Sequence, residues 1–288
     1  MAASTLPLVM GVVNVTPDSF SDGGRYDDPE RAVAHARELL AEGADILDIG
    51  GESTRPGATR PLVAEELDRV LPVIEALAAE GAVVSVDTMR AEVAEQAVRV
   101  GARIVNDVSG GLADPDILRV VAGSEARYVA MHWRAHSDHM QDFAVYDGPG
   151  GVVRAVRDEL AERVEAIRAA GVPDERVVLD PGLGFAKLPE HNWTLLAHLD
   201  ELAGLGFPLL VGASRKSFLG HLLAAEDGTP RPVDDREEAG VAVATLLATG
   251  HARTPVWGLR VHDVRATRDA LRAVAAWTAA GGAETPGR

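Results

Sequence analysis

Short apolar runs recur along the chain, and after each one the apolar positions return every three or four residues, the spacing of one helix face. The runs predict strands at Leu8 to Val13, Ile46 to Gly50, Val83 to Asp87, Ile104 to Asp107, Tyr128 to Met131, Val177 to Asp180, Leu209 to Gly212 and Val256 to Val261. Several are rich in Val, Ile and Leu, as strands covered on both faces are. The intervening segments carry helix signals. In the first, Asp28 is placed to cap, Pro29 suits the first helical position, Val33, Ala36 and Leu40 share a face, and Gly43 ends the run. In the last, Asp263 is the cap and Val264, Thr267, Leu271 and Val274 form the stripe.

Eight strand-helix units in about 280 residues match an α/β chain closed as a single (β/α)8 TIM barrel, with its active site at the C-terminal ends of the strands. An open doubly wound sheet shares the alternation and is the alternative, although no GxGxxG follows the first strand to support its dinucleotide-binding form. One domain is expected over residues 8–280, after a flexible start at 1–7 and before a disordered tail at 281–288. Residues 132–151 make the longest irregular connection, and "EDGTPRPVDD" is a second.

Composition removes several function classes. The chain has 288 residues, 47% of them hydrophobic, which suffices for a large core, and no cysteine, which removes disulfides, thiolate catalysis and cysteine metal sites. No stretch approaches the roughly 20 apolar residues of a membrane helix, and the first residues lack a secretion signal's basic start and apolar core. A cytoplasmic protein with no membrane partner is expected. A formal net charge of −16 argues against nucleic acid, whose phosphates need a concentrated basic surface. Of the 28 basic residues only Lys187 and Lys216 are lysine. Against so strong an arginine bias, a retained lysine marks a place that needs a compact ammonium instead of a planar fork.

Polar residues stand at the end of nearly every predicted strand. In order they are Asn14, "GGESTRPG", Asp87, "NDVSGG", "MHW", "DPGLGF", "GASRKSFLG" and "RVHD". A barrel gathers such ends on one face. Asp87, Asn106 and Asp180 offer acceptors and an amide to a flat heterocycle with adjacent N–H donors. Arg55, Arg215, Lys216, Arg260 and His262 offer positive charge, and the last two precede the final helix, whose N-terminus favours an anion. A substrate with a ring at one end and a phosphate at the other fits this layout. The segment "NVTPDSFSDGG", Asn14 to Gly24, is too long for a tight turn and sits where an active-site lid would sit.

Each of these residues has a plainer reading. Taken alone, an Asp or Asn at a strand end caps a helix more often than it binds a ligand. Arg55 could be solvated, Lys216 a surface lysine and His262 a packing residue. His132, His136 and His139 with Asp138 invite a zinc reading, but their spacing is a loose match. The functional reading draws its strength from the coincidence of all the strand ends.

Seven long motifs in one order, "MGVVNVTPDSFSDGG", "DILDIGGESTRPGA", "SVDTMR", "NDVSGG", "LDPGLGFAK", "VGASRKSFLG" and "RVHDV", make the chain resemble the dihydropteroate synthase family of folate biosynthesis over about residues 8–278. That family joins p-aminobenzoate to a pterin on the same barrel fold. The resemblance implies a pterin site at Asp87, Asn106, Asp180 and Lys216, with Met131, Phe185 and Gly212 lining the slot. It implies diphosphate binding by Arg260 and His262 with Asn14, Thr54 and Arg55, and Mg²⁺ as cofactor at Asn14. Phe20, Thr54, Pro56, Phe185, Lys216 and Ser217 match the p-aminobenzoate subsite, and Asp22, Arg55, Lys216, Arg260 and His262 are the implied catalytic set. Sulfonamides, which mimic p-aminobenzoate, are the implied inhibitors. A homodimer is the implied assembly, with residues 191–225 the place to look for an exposed apolar face.

The implied chemistry is loss of pyrophosphate from a 7,8-dihydropterin carrying CH2–O–diphosphate, the electron-rich ring supporting a cationic CH2. Arg260, His262, Mg²⁺ and the final helix N-terminus would neutralise the leaving charge. The arylamine is already nucleophilic, so no strong base is required. "TPDSFSDGG" and "STRPG" would close over the pterin, joined by an Asp22 to Arg55 contact. Three rivals share parts of the pattern: a methyltetrahydrofolate-corrinoid methyltransferase, a non-catalytic pterin-binding paralogue and a Schiff-base aldolase using Lys216. "SRKSFLG" and "RVHDV" speak against the first, the intact Asp22, Arg55, Lys216, Arg260 and His262 against the second, and the otherwise unexplained aspartates and long first loop against the third.

Overall fold

The computed structural model describes residues 6–16, 28–52, 60–136, 140–250 and 254–282. Eight strands, β1 (Leu8–Asn14), β2 (Ile46–Gly50), β3 (Val84–Asp87), β4 (Ile104–Asp107), β5 (Arg127–Met131), β6 (Val177–Asp180), β7 (Leu210–Val211) and β8 (Gly258–Val261), alternate with helices. These are α1 (Asp28–Glu42), α2 (Val63–Ala79), α3 (Ala91–Arg99), α4 (Asp116–Ala122), α5 (Gly151–Ala169), α6 (Pro189–Ala197), α7 (Leu199–Ala203), α8 (Ser217–Leu222), α9 (Glu237–Ala248) and α10 (Val264–Ala279).

The sheet order is β6-β5-β4-β3-β2-β1-β8-β7, every pair is parallel, and a parallel bridge between Leu179 and Leu209 joins the two ends. The sheet is therefore a barrel, and the open-sheet alternative falls. β7 is shorter than the apolar run Leu209 to Gly212 suggests, because the Leu209 carbonyl accepts from both Trp257 N (2.8 Å) and Gly258 N (3.3 Å) as the chain swings between neighbours.

Two-residue periodicity sorts each strand into an outer and an inner row. The outer row, with Val9, Val13, Leu47, Ile49, Val84 and Val86, meets the helices in the main core. The inner row starts apolar: Met10, Ile46, Ile104, Val129, Val178 and Leu210 pack together near the N-terminal ends of the strands. Two residues further along the same rows stand Val12, Asp48, Asn106, Met131, Asp180 and Gly212. The barrel is thus plugged with hydrocarbon at one end and turns polar toward the other, which is where a ligand can be held without flooding the core.

The expected helix signals hold in part: α1 begins at Asp28 itself, with Pro29 second, and the Asp28 side chain expected as its cap lies outside the described residues. On α1, Val33 and Ala36 are buried, and Gly43 follows with φ +106°, a value that favours glycine. On α10, the Asp263 carboxylate accepts from Ala266 N at 2.9 Å, and Val264, Thr267, Leu271 and Val274 are the buried stripe. Leu6 packs against the core and Pro7 is buried just ahead of β1.

One motif residue is purely architectural. Asp107, at the end of β4, is fully buried and accepts from Ser109 N (2.8 Å), Ser109 Oγ (2.7 Å), Gly111 N (2.8 Å) and Tyr128 Oη (2.7 Å). Gly110 and Gly111 take φ of +58° and +84° to complete that turn. The carboxylate satisfies four donors with two oxygens, which fixes the strand end that carries Asn106. Asp107→Asn turns an N–H2 toward these donors and is expected to cost about 2–3 kcal/mol. Urea unfolding at pH 7 measures it, and a loss under about 0.5 kcal/mol, the size of an ordinary surface change, would contradict this role.

Candidate functional site

Inner-row residues near the C-terminal ends of the strands face a single pocket. Its acceptors come from neighbouring strands: Asp87 ends β3 opposite Asn106 on β4, and Met131 ends β5 opposite Asp180 on β6. Across the barrel, the adjacent set β7, β8 and β1 supplies Gly212, Ser214, Arg260, His262, Asn14 and Thr16. Apolar lining comes from Val12, Val108, Met131, Leu183 and Phe185, and Val108, Met131 and Phe185 pack with Met89 and Ala186 behind them.

Arg260 spans the two sides. Its Nε donates to Asp48 Oδ2 at 2.7 Å and its Nη2 to Asp87 Oδ2 at 2.8 Å. Asp48 Oδ2 also accepts from Asn106 Nδ2 at 3.0 Å. An ionised carboxylate only accepts, so the Asn106 amide is oriented with its N–H2 on Asp48 and its oxygen free of that contact. Among the described residues Asp48 Oδ1 is buried with no hydrogen-bond partner. One guanidinium therefore stands between two carboxylates, with Asp48 fully buried and Arg260 and Asp87 partly so.

That geometry sets the charges. Burial pushes Asp87 up to about 7 although Arg260 opposes it, and Asp48 behind it pushes the same way. Burial also raises Asp180, against the hydrogen bond that its Oδ1 accepts from Gly182 N at 2.7 Å. Lys216 is pulled down to about 8 by burial and then by Arg260, with Asp180 and Asp87 pulling the other way. Arg260 stays charged, since its two carboxylates outweigh the cost of its burial. The Lys216 ammonium lies 4.1 Å from the centre of the Phe185 ring, a cation-π contact at the pocket wall. At the other side, Ser214 Oγ accepts from His262 N (3.2 Å) and lies 3.0 Å from His262 Nδ1. Arg215, at φ +61°, turns to Glu237 on α9.

Of the residues expected from the sequence, Asn14, Asp87, Asn106, Met131, Asp180, Phe185, Gly212, Lys216, Arg260 and His262 all line this pocket. Ser217 does not; it is exposed at the start of α8. Phe20, Asp22, Thr54, Arg55 and Pro56, and with them the Asp22 to Arg55 contact, lie outside the described residues. Arg260, expected only as an anion holder, is bonded to two carboxylates. The zinc reading fails at His132, whose ring nitrogens meet Lys187 Nζ (2.8 Å) and Glu159 Oε2 (2.9 Å), while His136 packs edge-on to Trp133 and Asp138 and His139 lie outside the described residues. Among the described residues no group of three His, Asp or Glu is placed to hold a metal. Asp48 was missed, and its signal was a charge in the middle of the apolar strand "ILDIG".

Known proteins resemble this chain in both sequence and fold. The model of the pterin binding enzyme family matches residues 10–262. A dihydropteroate synthase of Mycobacterium leprae is 53% identical over 275 residues, 95% of this chain and 94% of that protein. Among solved structures, Xanthomonas albilineans dihydropteroate synthase with 4-aminobenzoic acid superposes with a TM-score of 0.84 at 45% identity, covering 96% of this chain and 94% of the other. Yersinia pestis dihydropteroate synthase in a sulfonamide drug complex gives 0.84 at 41% identity, covering 95% of each chain.

The charge arrangement has a direct readout. Arg260→Met removes the cation that opposes the burial of Asp87, so the Asp87 carboxyl, which titrates at about 7, should titrate at least about one pH unit higher. The ¹³C-carboxyl shift followed against pH checks it. A value that falls or stays put would show that the Arg260 contact does not control this carboxylate.

Proposed function

The chain belongs to the dihydropteroate synthases, transferases within the pterin binding enzyme family, and on that premise we propose that it condenses 6-hydroxymethyl-7,8-dihydropterin diphosphate with p-aminobenzoate to give 7,8-dihydropteroate and pyrophosphate. The observation that carries this reading is the division of the pocket, with Asp87, Asn106 and Asp180 on strands β3, β4 and β6 and Asn14, Ser214 and His262 across the barrel. A flat ring with adjacent N–H donors matches the first set, and an anion at the N-terminal end of α10 matches the second.

In this mechanism Asp180 and Asp87 accept from the ring N–H groups. As the CH2–O bond breaks, positive charge spreads into the ring, and the two carboxylates stabilise it most when it is largest. His262 and the first turn of α10 receive the departing diphosphate. The Phe185 ring and the Lys216 ammonium hold the ring plane so that the exocyclic CH2 faces the arylamine. The C–N bond then forms and the amine proton leaves to solvent. Asn14 fits Mg²⁺ brought in on the diphosphate, because that ion is usually held by substrate phosphates and waters with few protein oxygens, and one amide oxygen at the pocket is such a ligand. When bound, the ion would supply charge neutralisation to the leaving group.

The reading extends to the rest of the site. Phe20, Asp22, Thr54, Arg55 and Pro56 would close over the pterin, with Ser217, and complete the p-aminobenzoate subsite where sulfonamides would compete. No helix among the described residues is long and apolar enough to cross a membrane. A homodimer is part of the proposal, and within residues 191–225 Leu222 on α8 is an exposed large apolar side chain.

Pyrophosphate release from the dihydropterin diphosphate with Mg²⁺, measured with and without p-aminobenzoate and with product mass, tests the assignment. Release that depends on p-aminobenzoate, with dihydropteroate formed, is expected; tight pterin binding without release would leave only a binding protein. Asp180→Asn turns an acceptor into a donor against the ring and should lower kcat/KM roughly 10³-fold or more. Asp22→Ala should impair turnover more than pterin binding, and unchanged turnover would remove the lid from the mechanism.

A further inference from the structure

We propose that Lys187 is a positioning residue for the pterin pocket: its ammonium clamps the segment from Gly182 to Lys187 so that the Phe185 ring stands where it supports both the bound ring and Lys216. This rests on the pterin reading of the site. Lys187 lies outside the pocket lining, is 3% exposed and serves none of the steps above.

All three ammonium hydrogens have an acceptor. Nζ meets Gly182 O and Phe185 O, each at 3.0 Å, and His132 Nδ1 at 2.8 Å. Donation to Nδ1 requires the His132 proton on Nε2, which points at Glu159 Oε2 at 2.9 Å. Arg134 holds Glu159 in turn through Nε at 3.0 Å. The chain Arg134, Glu159, His132, Lys187 therefore has a single assignment of donors and acceptors, running from α5 to the loop after β6.

The loop needs such a clamp. Ala186 takes φ +48°, a conformation that a non-glycine residue holds only where its surroundings over-determine it. Gly182 is at φ +66°, and a Cβ there would come within 2.3 Å of the His132 carbonyl oxygen. Tyr146 Oη donates to Ala186 O at 2.9 Å, and Gly184 N donates to Asn192 Oδ1 at 2.7 Å. Lys187 closes the set from below by tying the two ends of the turn together. A planar guanidinium would not place three donors on three convergent acceptors, which accounts for a lysine in a chain that otherwise uses arginine. Both lysines touch Phe185, one at its carbonyl and one on its ring face.

The clamp is pH-sensitive in a defined sense. The groups facing Lys187 are His132, Glu159, Arg134, Asp180 and Lys216. Burial pulls Lys187 down to about 7, and burial and then Lys187 pull His132 down to about 4, so the imidazole stays neutral. Burial works against the Glu159 carboxylate, but His132 and Arg134 outweigh it and hold it at about 2. The ammonium is thus present below about pH 7 and is lost as pH rises through that value.

The test uses the full chain with Lys187→Met and Lys187→Arg. Steady-state kinetics and calorimetry with the dihydropterin diphosphate should show pterin affinity weakened roughly 10- to 100-fold in both variants, carried by KM with kcat within about threefold. Binding within about twofold of the parent in Lys187→Met would overturn the proposal. Because the chain has two lysines, ¹⁵Nζ-lysine labelling gives two side-chain signals, and Lys187 is the one missing from the variant. It should titrate near neutrality, and the amide protection factors of Gly182 to Lys187 in the unsubstituted chain should fall in step with it. Protection factors that stay level while the Lys187 signal titrates refute the clamp without any variant having to fold. If the unsubstituted chain binds no pterin, the synthase reading fails by itself. Amide exchange of Gly182 to Lys187 then decides the clamp: faster exchange in Lys187→Met supports it and equal exchange overturns it.

Discussion

The contact of Arg260 with Asp48 and Asp87 is the constraint on which the rest of the site depends. A guanidinium on β8 reaches carboxylates on β2 and β3 across the inside of a barrel, above a plug of Met10, Ile46, Ile104, Val129, Val178 and Leu210. Hydrocarbon below and limited water above make every charge felt by its neighbours. Removing Arg260 leaves two carboxylates without their counter-charge, one of them fully buried, a far larger penalty than the contact's own net worth. The arrangement is costly to build and hard to alter, and it fixes the orientations of Asp87 and Asn106 at the pocket.

Architecture was legible because two periodicities repeat. Apolar runs marked every strand, and stripes such as Val264, Thr267, Leu271 and Val274 marked the helices that cover them. Closure was not a local property. The bridge from Leu179 to Leu209 depends on the curvature accumulated over the whole sheet, so periodicity could only offer the barrel beside the open sheet. The pocket residues were legible because a closed parallel barrel sends all strand ends to one face.

What escaped the sequence lay one layer deeper. Asp48 sits two residues short of its strand end, so a search of strand ends passed over it. Asp107 and Asn106 are adjacent in one motif, yet alternate residues of a strand face opposite sides, and one became a turn former while the other faced the pocket. Lys187 had drawn notice as one of two lysines, but its partners His132 and Glu159 come from other segments of the chain, and only folding brings them to it. Pairings between distant segments carry no local signature.

The sharing of Asp48 Oδ2 by Arg260 and Asn106 also bears on how such a site can change over generations. Three side chains on β2, β4 and β8 use one oxygen atom, so a substitution at any of them alters what the other two can tolerate. A lineage could not exchange Asp48 first and adjust Arg260 later without passing through a form in which Arg260 Nε and Asn106 Nδ2 have both lost their acceptor. These positions should therefore drift together or stay fixed, inherited as one unit although 212 residues of chain separate the outermost pair.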